Sequence, residues 1–206
     1  YELSNMNESF IYYTIEQEAV AELKDRGSKF LACAFPVTTI EQFKLKLKAL
    51  KELHPKANHY CFAYRIGTDG NTFKVSDDGE PGGSAGRPIL GQIDSKEITN
   101  IAVVVVRYFG GTLLGVPGLI NAYKTVTSFV LQTIPVVQKQ KEIFYAIEFD
   151  YTRMNEVMMI LKQCNCSILN QEQLLFCRIE TGIPQNRLEE VAYRFKELHD
   201  VHLQKF

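Results

Sequence analysis

The sequence predicts an α+β protein of two domains. Three observations carry this. Only one segment, Val103 to Val106, is a fully apolar β-branched run of the kind buried on both faces of a sheet, and it stands between helical patterns. Upstream lie two shorter strand patterns and a hairpin, which together predict an N-terminal mixed or antiparallel sheet with helices on one face. The remainder, from about Lys141, runs strand, helix, strand, strand, helix, strand, the βαββαβ order of a ferredoxin-like domain. Pro135 and the polar stretch Gln138 to Lys141 are the natural boundary, so the predicted domains are 1–136 and 137–206.

Phe10 to Glu16 and Lys29 to Val37 read as strands, with Gly27 and Ser28 turning between Asp25 and the second run. A helix follows from Thr39 to His54, with Ile40, Phe43, Leu47 and Leu50 as its apolar stripe. Thr39 and Gln42 have capping-box spacing, and Pro55 ends the helix. His59 to Ile66 and Thr72 to Val75 form a hairpin around Gly67 to Asn71. A short helix is expected over Ser84 to Glu97, a strand over Asn100 to Phe109, and a long helix over Pro117 to Ile134. In the second domain, Lys141 to Asp150 is a strand and Thr152 to Gln163 a helix; Cys166 to Gln171 and Leu174 to Thr181 are paired strands. Asn186 to Leu198 is the second helix and His199 to Phe206 the last strand.

Composition excludes several classes. The net charge is −1, with 14 basic and 14 acidic residues before residue 136 and 9 and 10 after it, so neither half has the basic excess of a dedicated nucleic-acid binder. Five cysteines form no CxxC pair, which encodes neither a disulfide framework nor a zinc ribbon. With no bilayer-length apolar run and no basic-then-apolar leader, the expectation is a cytoplasmic protein without membrane contact.

Two glycine-rich segments suggest a site. In SDDGEPGGSAGRPIL, residues 76–90, the carboxylates Asp77, Asp78 and Glu80 precede Gly82, Gly83 and Ser84 and a predicted helix. In VVVVRYFGGTLLGVPG, residues 103–118, Arg107 and Tyr108 precede Gly110, Gly111 and Gly115 at the start of another helix. Free amides there could hold a phosphate or carboxylate with Arg107 as counter-charge; equally, the glycines could only relieve crowding in a tight connection. The spacing is neither GxGxxG nor a Walker loop. A divalent metal on the three carboxylates is the weaker reading, since acidic turns before helices commonly cap amides, and no metal or cofactor is expected. GxSxG matches at 82–86, but no buried strand precedes Ser84 and the later histidines, His199 and His202, belong to the second domain, so Ser84 reads as a helix N-cap rather than a nucleophile. His59 and Cys61 share a strand face as ordinary packing. Lys44, Lys48 and Lys51 share a helix face, flanked by Lys46, which reads as solvated rather than phosphate-binding.

The strings GSKFLA (27–32), SDDGEPGGSAGRPIL and VVVVRYFGGTLLGVPGLINAY (103–123) resemble the YigZ/IMPACT family over essentially the whole chain. The resemblance implies an N-terminal domain like the second domain of a small-subunit ribosomal protein and a C-terminal domain similar to the last domain of elongation factor G. It also implies translation regulation: eukaryotic relatives bind a partner that controls a kinase directed at eukaryotic initiation factor 2, and bacterial members are described as nucleic-acid or ribosome binders. Leu113 and Asn121 stand where the family often has Lys and Arg, removing two positive charges.

The resulting expectation is a non-catalytic regulator binding RNA, the ribosome or a translation factor, with no DNA specificity, through a cleft between the glycine loops. In it Arg107 and Lys124 offer charge, Gly110 and Gly111 allow close approach, and Asp78 with Glu80 orients Arg107. Two alternatives stand beside it: a small-ligand or metal-dependent enzyme using Asp77, Asp78, Glu80 and Arg107, and a protein-interaction module. All of this requires residues 76–86 and 107–118 to fold against each other with Arg107 meeting the carboxylates.

Overall fold

The computed structural model describes residues 10–173 and 175–206. The chain divides into two compact units, residues 12–139 and residues 140–206, the latter joined by residues 10 and 11.

In the N-terminal unit, β1 (Ile11–Thr14) leads to β2 (Ala19–Asp25) and β3 (Ser28–Pro36), followed by α1 (Ile40–Leu53), β4 (His59–Ile66) and β5 (Thr72–Ser76). Then come α2 (Gly86–Ser95), β6 (Ile101–Tyr108), α3 (Gly115–Gln132) and β7 (Val137–Gln140), which pairs with β1. The main sheet has order β2-β3-β6-β4-β5 and is antiparallel at every pairing, so the mixed alternative does not apply. Its central strand is β6, whose Val103 to Val106 are all fully buried.

Burial on both faces of β6 requires cover on both faces, and this corrects the expectation of helices on one side. Phe30, Ala32, Val103 and Val105 pack against Ile89 and Ile93 of α2 and Leu119, Tyr123 and Val126 of α3. The alternate residues, Phe35, Phe62, Tyr64, Val104 and Val106, pack against Phe43, Leu47 and Leu50 of α1 on the opposite face. An amphipathic stripe says that a helix is covered; it does not say which side of a sheet covers it.

Helix α1 begins as its sequence predicts. Thr39 Oγ1 accepts from Gln42 N at 3.2 Å, while Gln42 Oε1 reaches back to Thr38 N at 2.9 Å, one residue beyond the expected box partner. Strand β2 is additional to the expected elements. It alternates half-buried and exposed residues along its length, with Ala19, Ala21 and Leu23 packed inward.

The C-terminal unit comprises β8 (Glu142–Phe149), a 3-10 turn, α4 (Met154–Gln163), β9 (Ser167–Gln173), β10 (Cys177–Pro184), α5 (Leu188–Lys196) and β11 (Val201–Lys205). Its antiparallel sheet has order β11-β8-β10-β9, the arrangement a βαββαβ chain adopts in a ferredoxin-like fold. Val157, Ile160 and Leu161 of α4 and Val191 and Phe195 of α5 bury one sheet face around Ile147, Phe149 and Ile179. Among the described residues no helix is long and apolar enough to cross a membrane.

Candidate functional site

The site is built at one end of the five-stranded sheet, where β2 turns into β3, β4 begins, and β5 and β6 finish. Asp25 pairs with Ser28, leaving Arg26 and Gly27 as a two-residue hairpin loop. Both have positive φ, 46° and 82°, as a right-twisted hairpin with so short a loop requires. Gly110, just after β6, lies directly on this turn. A Cβ placed on Gly110 would stand 1.9 Å from the Gly27 carbonyl carbon, so only a residue without a side chain fits there.

Beneath that contact sits a buried polar network. Arg107 is 4% exposed and donates from Nη1 to Glu80 Oε1 at 2.6 Å and from Nη2 to Ser28 Oγ at 3.3 Å. Ser28 Oγ also accepts from the Gly110 amide at 3.2 Å. Glu80 Oε1 takes a second hydrogen bond, 2.7 Å, from the Tyr123 hydroxyl on α3. The Cys61 thiol lies 3.3 Å from that hydroxyl and 3.0 Å from the Asp77 carbonyl. Burial pushes the Cys61 thiol up to about 12 and holds the Tyr123 hydroxyl above its usual range, so both stay protonated. The Phe30 ring lies 5.3 Å from the guanidinium and edge-on to Tyr123. Arg107 Nε is buried and has no hydrogen-bond partner among the described residues. The network thus joins β3, β4, β6, the acidic loop and α3.

The two glycine segments therefore meet through Arg107, as the sequence requires, but the carboxylates divide their work. Asp77 does not face Arg107. Its Oδ1 accepts from Ala85 N at 3.0 Å and Gly86 N at 2.8 Å, and its Oδ2 from Gly83 N at 2.8 Å. Desolvation works against its charge, yet these three amides together with Arg87 outweigh it and lower its pKa. Asp78 has φ 40°, and its Oδ2 accepts from Tyr60 N at 2.7 Å; Glu80, rather than Asp78 with Glu80, orients Arg107. Ser84 is buried and donates to the Pro81 carbonyl at 2.6 Å, so it is not the N-cap of α2. Asp77 satisfies the amides at that terminus from nine residues upstream.

The remaining expected residues lie around the same end. Gly82 is exposed and Gly83 has φ 78°. Gly111 and Gly115 are exposed with φ 85° and 72°, the second opening α3. Leu114, the residue before it, makes no side-chain cap bond to the α3 amides. Lys124 is exposed on α3. Tyr108 points to the α1 face, its hydroxyl 2.8 Å from His54 Nδ1. Arg107 itself is too buried to meet a partner, so it positions the loops rather than presenting charge. Asp77, Asp78, Glu80 and Arg107 do not converge on one point, and among the described residues no three metal-ligating side chains are grouped to hold an ion.

Sequence reasoning missed three members. Ser28 and Tyr123 complete the Arg107–Glu80 network, and the Asn58 side chain accepts from Phe109 N at 2.8 Å while its amide donates to the Arg107 carbonyl at 2.9 Å. Ser28 and Tyr123 lie inside the strings that carry the family resemblance, which is the only signal that could have found them.

The model of the Impact N-terminal domain matches residues 26–131, from the Arg26–Gly27 turn to the end of α3. The chain belongs to the IMPACT family. Similar IMPACT family members include YigZ of Escherichia coli, 29% identical over 96% of this chain and 97% of that protein, and one of Haemophilus influenzae, 30% identical over 90% and 91%. The crystal structure of a hypothetical protein, 26% identical, superposes over 95% of this chain and 97% of its own with a TM-score of 0.74. Every member of the buried network falls within the matched IMPACT segment.

Proposed function

We propose that this IMPACT-family protein is a translation-associated regulator that binds RNA or the translation machinery with the glycine-rich end of its N-terminal sheet. Family membership supports the regulatory role. The observation that carries the site is the fate of the acidic loop: Asp77 is spent on three amides, Asp78 on the Tyr60 amide, and Glu80 on Arg107 and Tyr123. With Asp77 and Glu80 internally engaged and Asp78 tied at one oxygen, this end offers a partner exposed glycine backbone, the start of α3 with no side-chain cap, and the exposed cations Arg87 and Lys124. Free amides and cations suit phosphate oxygens. Exposed Phe109 and Leu113, 44% and 83% accessible, add apolar surface at the same loop.

Filter binding of the full chain to ribosomes and to single-stranded RNA at low salt tests this. Association that weakens in Lys124→Glu and Arg87→Gln and falls steeply with added salt is expected. Absence of association at low salt, or indifference to both substitutions, overturns it.

A further inference from the structure

Helix α1, which carries the lysine face, packs on the opposite face of the sheet from α2 and α3. Lys44, Lys48 and Lys51 are exposed at i, i+4 and i+7, so they line one flank of the helix. Beside them runs a shallow groove of about 550 Å³, lined by Lys44, Leu47, Lys48, Lys51, Glu52 and Pro55. Its floor is apolar, formed by half-buried Leu47, by Pro55 and by the aliphatic stems of the lysines. Its rim is basic. Glu52 approaches Lys48 only at 3.9 Å, with both side chains more than two-thirds exposed, and so neutralises little of it.

From this we infer that the α1 groove docks an acidic amphipathic helix of a protein partner, through carboxylates spaced to meet Lys44, Lys48 and Lys51 and an apolar side chain set against Leu47 and Pro55. Charge complementarity specifies the partner's sign, and the apolar floor specifies that the partner is amphipathic. Single-stranded nucleic acid fits less well. The groove lining has no aromatic ring on which a base could stack and no arginine to grip phosphate in two places. The Tyr60 ring beside Lys51 is half-buried and already has the Lys51 ammonium 5.3 Å from its centroid. The inference stands apart from the proposed role of the glycine loops.

The test is a titration of the ¹⁵N-labelled full chain with a synthetic helical peptide of about 14 residues, carrying Glu at matching i, i+4 and i+7 positions with Leu between them. Amide shifts confined to residues 44–55, and affinity reduced about tenfold or more in Lys44→Glu/Lys48→Glu/Lys51→Glu, are expected. A triple Gln variant serves if the charge reversal perturbs folding. The proposal fails if the peptide shifts only other surfaces, if neither triple variant weakens it, or if poly-U RNA occupies the groove more tightly than the peptide does.

Discussion

Arg107 and Glu80, 27 residues apart in sequence, form a 2.6 Å ion pair whose side chains are 5% and 3% exposed. A buried pair of this kind is not a net gain over well-packed apolar residues, but removing one member leaves the other charged and unsolvated. Glu80→Leu also strips the Tyr123 hydroxyl of its acceptor. Urea denaturation of Glu80→Leu is expected to show a loss of roughly 3–5 kcal/mol. Arg107→Met combined with Glu80→Leu should recover a large part of it. If the double variant is as unstable as the sum of the singles, the two side chains are not coupled.

The glycines divide sharply by what surrounds them. A Cβ on Gly110 would stand 1.9 Å from the Gly27 carbonyl carbon and 2.2 Å from its oxygen, and Gly27 combines φ 82° with the Gly110 carbonyl oxygen 2.9 Å from its own Cβ position. Neither backbone can withdraw without breaking the β2–β3 turn from the end of β6. Gly111→Ala meets no atom within 4 Å and bears only the left-handed backbone penalty, about 1–2 kcal/mol. Gly82→Ala, with open space and no positive φ, should be close to neutral. Thermal melts should therefore rank Gly110→Ala below Gly111→Ala, and Gly111→Ala below Gly82→Ala. Equal melting of the first two would contradict the close approach.

The architecture was largely readable because its signals are local. Val103 to Val106 form an unbroken β-branched run, and Thr39, Gln42 and Pro55 punctuate α1 within four residues of its ends. What escaped was non-local. Nothing in the stripe Phe43, Leu47, Leu50 reveals that it meets Val104 and Val106 rather than Val103 and Val105. Asp77 caps a helix nine residues away because the loop between them curls back, an arrangement set by Gly79 and Gly83 at positive φ rather than by cap spacing. Strand β2 carried a readable period of two, with Glu22 and Lys24 outward, but apolar Val20 on the same outward face and small Ala19 and Ala21 on the inward one weakened the pattern. The meeting of Arg107 with the acidic loop was legible from charge alone: a cation ending a buried strand needs a partner.

Acid should undo the capping of α2 by Asp77. Its folded pKa is lowered by the Gly83, Gly86 and Ala85 amides against the opposing effect of burial, while the unfolded value is ordinary, near 4. Its contribution is therefore complete above that ordinary value and disappears as pH falls through the depressed one. Asp77→Asn should cost on the order of 1–2 kcal/mol at neutral pH. The variant should also lose less stability than the native protein between about pH 4 and 2. Urea midpoints across that range decide it; parallel acid limbs would show that Asp77 is not held ionised by its amides.

The five thiols are all free and should be chemically quiet in the folded protein. Burial pushes Cys33 up to about 11 and Cys61 and Cys166 up to about 12, while Cys164 and Cys177 are 0% and 2% exposed. At pH 8 an ordinary cysteine is about a quarter thiolate, whereas one with a pKa near 12 is ionised in about one molecule in 10⁴, and it is the thiolate that attacks disulfide reagents. Reaction with Ellman's reagent should therefore be slow without denaturant, begin at half-buried Cys166, and release all five equivalents on unfolding. Its rate should follow the opening of the C-terminal unit at Cys166 and of the β4 core at Cys61. A thiol that reacts within the mixing time in the native state would show that one of these strands is more accessible than the packing around Ile147 or Tyr123 permits.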